Sequence, residues 1–154
     1  MDLYVTSDRY SAVTHYLQRL AELSLPNTQL NALEYSLVCA SMAKKQGLDD
    51  LCVLAALFQH VDLGYFMSEG EDEWFSREDE GFIAALLLGF GLSEELAKLA
   101  LSLKKQKKPQ DENRLQNICK SAETVKSCDL SLESFQELLT TCLQEEEKSI
   151  LVNA

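Results

Sequence analysis

Two prolines and six glycines in 154 residues leave little of the turn chemistry that a many-stranded fold needs, and favour long helices. Histidine is scarce as well: His15 and His60 are the only two, too few for a metal centre built mainly from imidazoles. The five cysteines, Cys39, Cys52, Cys119, Cys128 and Cys142, include no Cys-x-x-Cys pair and are odd in number. That speaks against a zinc ribbon or a disulfide framework, and for free thiols in a reducing cytoplasm. There is no Gly-rich phosphate loop and no Gly-x-Ser-x-Gly elbow. Cations are outnumbered, with 14 Lys and Arg against 25 Asp and Glu and a net charge of -11. Such a surface repels phosphate backbones and anionic membranes, so no nucleic acid partner is expected. The opening Met1-Asp2-Leu3-Tyr4 has neither the basic nor the apolar part of a signal peptide. The longest apolar run, Phe82 to Leu92, is too short to span a bilayer. A cytoplasmic location without membrane insertion is the expectation.

What is present is helical periodicity. The length suits one domain with a real core. A first helix is expected from Ser7 or Asp8, with Tyr10, Val13, Leu17, Leu20 and Leu23 on one face and Leu25-Pro26-Asn27 ending it. His15 in that helix reads as packed or exposed rather than as a ligand. A second helix runs from about Thr28 to Gln46, with Leu30, Leu33, Leu37, Ala40 and Met42 or Ala43 inward, and Gly47 stops it. Asp49 or Asp50 caps a third, which is apolar almost all round from Leu51 to Val61 and is therefore placed at the centre of the bundle. Gly64 to Phe75 reads as an acidic loop carrying Trp74 and Phe75, without EF-hand spacing. A fourth helix starts at Ser76-Arg77-Glu78-Asp79 and ends at Gly89 or Gly91. Ser93 opens a fifth, which ends in Lys104-Lys105-Gln106-Lys107-Lys108-Pro109. A sixth spans about Asp111 to Lys126, and Ser131 caps a seventh that buries Phe135, Leu138, Leu139 and Leu143. The fold class is all-α: a single-domain bundle of about seven helices.

One stretch carries a family likeness. Leu33-Glu34-Tyr35-Ser36-Leu37-Val38-Cys39-Ala40, the Gly47-Leu48-Asp49-Asp50 turn, and Ala55-Ala56-Leu57-Phe58-Gln59-His60 together resemble the core helical pair of the HD-domain superfamily. The small HD proteins related to phosphonate-degrading oxygenases and metal-dependent phosphohydrolases are the nearest in pattern. There the first helix reads like Leu-Glu-His-Ala-Leu-Gln-x-Ala, and the second ends in Ala-Ala-Leu-Leu-His-Asp. Aligned without a gap, the first ligand falls on Tyr35 and the His-Asp pair on Gln59 and His60. The likeness is strongest over residues 30–66 and weaker to about 108. On the fifth helix Ser102 or Leu103 takes a His position, and a lysine of the Lys104–Lys108 run, such as Lys104 or Lys107, matches a substrate-contacting Lys. Arg77 stands near a further His position before Gly81, and Asp129 is the only late Asp.

The resemblance thus implies an HD-like scaffold from which the ligands are gone. A dinuclear centre needs several imidazoles and carboxylates converging on two cations. Tyr, Gln, Arg and Ser are poor replacements. The expectation is a catalytically inactive HD-like protein, without cofactor, that works as a protein-binding or regulatory module. Tyr35, Gln59, His60 and Ser102 would line a vestigial pocket. Trp74 with Phe75, or the lysine-rich helix end, would offer a partner surface. Two alternatives accompany it. One is a remodelled site in which a one-residue shift brings His60 and Asp62 to a divalent metal such as iron or manganese. The other is a metal-free pocket that senses a small anion through Lys104 or Lys107.

Overall fold

The computed structural model describes residues 2–26, 28–69, 81–105 and 113–143. The chain forms α1 (Asp2–Arg19), α2 (Ala32–Lys45), α3 (Asp50–Phe58), α4 (Val61–Glu69), α5 (Gly81–Gly89), α6 (Glu94–Lys105) and α7 (Asn113–Ala122). A 3-10 turn, Leu132–Phe135, leads into a last helical stretch over 136–143. This is the all-α bundle. Its only extended pairing among the described residues is one antiparallel bridge between Ser24 and Asn31. Helix α3 packs on α2, α6 and α7; α5 packs on α6, and α1 on α4.

Several boundaries move from their sequence-based positions. Helix α1 already runs from Asp2, since no proline or glycine interrupts the first turns. It tightens into a 3-10 turn at Leu20–Glu22, and His15 is exposed. The second helix starts at Ala32 rather than near Thr28. Asn31 is its cap, accepting from the Glu34 amide at 2.8 Å while Glu34 accepts from the Asn31 amide at 3.0 Å, a reciprocal capping box. Thr28 serves the preceding turn instead, accepting from the Leu30 amide. Between the two expected caps of α3, Asp49 is the one used, accepting from the Cys52 amide at 3.0 Å. Helix α7 stops at Ala122, short of Lys126, and Ser131 makes no side-chain cap bond.

The loop expected from Gly64 is helix as far as Glu69. Glycine is a weak helix former, but here its missing side chain is what matters. A Cβ on Gly64 would overlap the backbone carbonyl of Tyr16, so α1 and α4 approach closely only because position 64 is glycine. Around that crossing Tyr16 meets Tyr65 edge-on at 5.4 Å and stacks with Phe90 at 6.1 Å, while Phe66 stacks on Phe82 at 5.0 Å.

Helix α3 is central, as its composition requires: Val53 through Phe58 are all buried. The backbone stays helical through the bend at Gln59 and His60 into α4. The stretch Asp50–Ser68 has the length and hydropathy of a membrane span, yet 61% of its span-length window lies inside the bundle, as in a core helix.

The two hairpins α2–α3 and α5–α6 turn by one device. Gly47 and Gly91 have φ of 82° and 88°, the left-handed region open to glycine. After Gly47, the Leu48 amide reaches back to the Ala43 carbonyl at 3.0 Å and the Gly47 amide to Lys44 at 3.1 Å. After Gly91, Leu92 reaches Leu87 at 3.1 Å and Gly91 reaches Leu88 at 2.9 Å. Both are Schellman ends, and the residue after the leucine caps the next helix: Asp49 for α3, and Ser93, which accepts from the Leu96 amide, for α6.

Candidate functional site: a buried Tyr-Cys-Gln-Cys cluster

Tyr35 and Cys39 are four apart on α2 and so share a face. That face meets α7, whose Leu115, Ile118, Cys119 and Ala122 recur at helical spacing and are all buried. Gln59, at the end of α3, is 5% exposed and closes the cluster from the third side.

The bonds account for most of the polar atoms. The last carbonyls of a helix have no partner within it. At the end of α7 the amides of Glu123, Thr124 and Val125 fold back onto Lys120, Ser121 and Ala122. The carbonyl of Cys119 is the one they leave, and the Tyr35 hydroxyl donates to it at 2.7 Å. Tyr35 is therefore the C-terminal cap of α7, supplied from α2. The Gln59 side-chain amide donates to the Ala56 carbonyl at 2.9 Å and towards the Cys119 sulfur at 3.6 Å. Cys39 and Cys119 are both buried and are near enough to act on each other electrostatically.

Electrostatics follow from burial. Removal from water raises the Tyr35 hydroxyl far above its ordinary range, and the neighbouring thiols and Glu123 push the same way. Burial also raises Cys39. Cys119 moves down, first through the neighbouring Cys39 thiol and then through the Gln59 amide that donates towards its sulfur, against the effect of burial. Outside the cluster, burial pushes Cys52 up to about 11. Cys52, Cys128 and Cys142 are half-buried rather than core residues.

Of the residues singled out in the sequence, Tyr35 and Gln59 meet in this cluster. His60 stands at its edge, its ring 5.9 Å from that of Tyr35. Ser102 takes no part in these bonds; its hydroxyl donates to the Leu99 carbonyl of its own helix at 2.7 Å. Asp62 is buried at the start of α4, and His60 lies two residues before it, in the turn between α3 and α4. Lys104 belongs to α6 by its backbone, while Trp74, Phe75, Arg77 and Lys107 lie outside the described residues. Asp129 is exposed in the irregular stretch after α7. Cys39 and Cys119 were missed as site residues. The i,i+4 relation of Cys39 to Tyr35 was readable in the sequence; the contact with α7 was not.

A metal of the kind the family resemblance implies does not fit these residues. The Tyr35 oxygen holds its proton and spends it on a backbone carbonyl. The Gln59 amide nitrogen is turned to Ala56 and Cys119. Among the described residues no group of three or more His, Cys, Asp or Glu side chains converges. What the arrangement can do is hold α2, α3 and α7 together through Tyr35 and Gln59. Comparison with protein-family models and with curated protein sequences gives no match for this chain.

Proposed function

We propose that this is a non-catalytic helical domain with an HD-like core, acting by binding another protein rather than by turning over a substrate. One observation carries the reading. Where the resemblance puts the first metal ligand, Tyr35 instead makes a buried hydrogen bond that caps α7. A position committed to holding two helices together is not available to hold an ion. The net charge of -11 favours a basic partner, whose association would slow as salt rises.

The test has two arms. Chelator-stripped protein is mixed with manganese, iron(II) or zinc and then desalted. It should retain well under one equivalent, with an unchanged thermal midpoint; stoichiometric retention would reinstate the enzyme reading. In the second arm, capture of partners from the native source is compared among wild type, Trp74→Ala and a charge reversal of Lys104, Lys105, Lys107 and Lys108. Loss of the same partner in one variant alone assigns the surface. Equal capture by both would exclude both surfaces.

A further inference from the structure

We infer that the groove beside the C-terminal end of α7 receives an arginine side chain of a partner protein. The inference rests on the reading that the chain acts by binding a basic protein, and it names the place and the chemistry of that contact.

The groove holds about 450 Å³ between the segment that precedes α2 and the turn that follows α7, enough room for a side chain and its neighbours. Thr28 and Gln29 stand on one side, and Glu123, Thr124 and Lys126 on the other. The donors of the second side are already spent. The Glu123, Thr124 and Val125 amides bond to the carbonyls of Lys120, Ser121 and Ala122. The Thr124 hydroxyl gives its proton to the Ser121 carbonyl at 2.8 Å. What this turn still offers a ligand is acceptors: the Glu123 carboxylate and the lone pairs of the Thr124 hydroxyl. Across the groove, the Thr28 oxygen already accepts from the Leu30 amide at 3.2 Å, and Gln29 can present its carboxamide oxygen. Such a lining suits a ligand rich in N–H groups.

The charge of the surroundings has the matching sign. Helix α7 ends at Ala122, so the groove lies at the negative end of its dipole, where cations are favoured. Glu123 is half-buried, and its charge is therefore screened less than that of a fully exposed carboxylate. Asp129 and Glu34 both act electrostatically on Cys128, two residues beyond Lys126, so two further carboxylates border the same turn. Lys126 is the one cation among the described residues of the lining, and it is exposed.

Arginine fits this lining better than lysine. A guanidinium carries its N–H groups in a planar fork, so it can pair with the Glu123 carboxylate through two of them and still reach a neighbouring oxygen with a third. An ammonium is a compact and more strongly hydrated charge, which loses more on leaving water. Pro26 and Val125 belong to the same lining and give the apolar stem of the arginine a surface to lie against.

The experiment uses the full chain and fluorescent, end-capped peptides of sequence Gly-Arg-Gly-Arg-Gly, with lysine and glutamate versions as comparisons, read by anisotropy in low-salt buffer. The arginine peptide should bind more tightly than the lysine peptide, the glutamate peptide should not bind, and added salt should weaken the complex. Glu123→Gln should weaken the arginine peptide by about tenfold. Lys126→Gln should strengthen it by about twofold to threefold, because it removes the one opposing charge. Glu95→Gln removes the same charge from an exposed site on α6 and should leave binding unchanged. Equal losses in Glu123→Gln and Glu95→Gln would overturn the inference, since net charge alone would then attract the peptide. So would a weaker complex in Lys126→Gln, or preference for the glutamate peptide. Failure here is separable from failure of the broader reading. A chain that retains no metal and captures its partner equally well as Glu123→Gln loses only the groove, whereas stoichiometric metal removes the reading on which the groove rests.

Discussion

Hairpins α2–α3 and α5–α6 close with the same turn and bury different chemistry. Gly47-Leu48-Asp49 and Gly91-Leu92-Ser93 each end one helix, reverse the chain and cap the next. Beyond the turn the second hairpin is apolar, with Ile83, Leu87, Leu96, Ala97 and Ala100 all buried. The first inserts Tyr35, Ser36 and Gln59 among its buried residues, and Tyr35 and Gln59 bond to Cys119 of α7. The turn therefore sets which helices pair. The composition of the facing sides decides whether the pair only packs or also holds a polar cluster. In a low-dielectric interior such a cluster stabilises only when its members are satisfied, and Tyr35 is the member that satisfies the end of another helix.

The sharpest way to break this contrast is to truncate one large side chain in each hairpin. Tyr35→Ala should destabilise by about 3–5 kcal/mol, and Leu87→Ala, at a fully buried site, by about 2–5 kcal/mol. Urea unfolding would measure both. The losses overlap, so labelling of native thiols is the discriminating readout: Tyr35→Ala should speed modification of Cys119, and Leu87→Ala should not. A Tyr35→Ala loss within about half a kcal/mol would show that the hydroxyl does not hold α7 in place.

A subtler comparison removes one oxygen. Tyr35→Phe leaves the ring and strands the Cys119 carbonyl, which should cost about 1–3 kcal/mol near neutrality. The pH dependence has a definite sign. The Tyr35 hydroxyl and the Cys39 thiol are raised in the folded chain and ionise near 10.0 and 9.0 when unfolded. Their contributions are complete below those values and are lost as pH rises, because the unfolded chain then binds fewer protons. Cys119, lowered from 9.0, has the opposite sign, and its contribution changes only below about pH 9. The Cys39 contribution is common to wild type and Tyr35→Phe, so above pH 10 only the Tyr35 hydroxyl separates the two. The gap between wild type and Tyr35→Phe should therefore narrow by about 1.4 kcal/mol per pH unit there, while the gap to Leu87→Ala stays flat. A constant gap for Tyr35→Phe would mean that the phenol is not shielded as its burial requires.

Much of this architecture is legible in the sequence because it is local. The Gly47 stop, the Asp49 cap and the all-round apolar α3 depend on residues within a few positions of each other. Two kinds of feature were not legible. Gly64 reads in the sequence as the start of a loop, because a glycine in a helix and a glycine in a turn look alike until the neighbouring backbone, here that of Tyr16, is in place. The partner of Tyr35 is 84 residues away and is a carbonyl, which no residue type announces. The position of the site was thus visible at Tyr35 and Gln59, while its composition, through Cys39 and Cys119, depended on how α7 docks.

The smallest effect tests whether the shared turn is shared energetically. Gly47→Ala and Gly91→Ala each place a Cβ at positive φ, for about 1 kcal/mol. At Gly47 nothing lies within 4 Å of that Cβ, so the penalty is conformational. Gly89 is equally open but helical, and Gly89→Ala should be neutral or stabilising by up to about 1 kcal/mol. The first turn carries a bond from α7: Arg114 donates to the Gln46 carbonyl at 2.8 Å, just before Gly47. If alanine at 47 merely strains its own dihedrals, Gly47→Ala and Gly91→Ala should agree within about half a kcal/mol, and Arg114→Ala should add to Gly47→Ala independently. If the strain instead shifts the Gln46 carbonyl, Gly47→Ala will exceed Gly91→Ala, and the excess will vanish in the Arg114→Ala background. The first outcome makes the turn a self-contained device used twice. The second makes α7 part of the first turn as well as of the cluster, and the two hairpins would then differ from the turn onward.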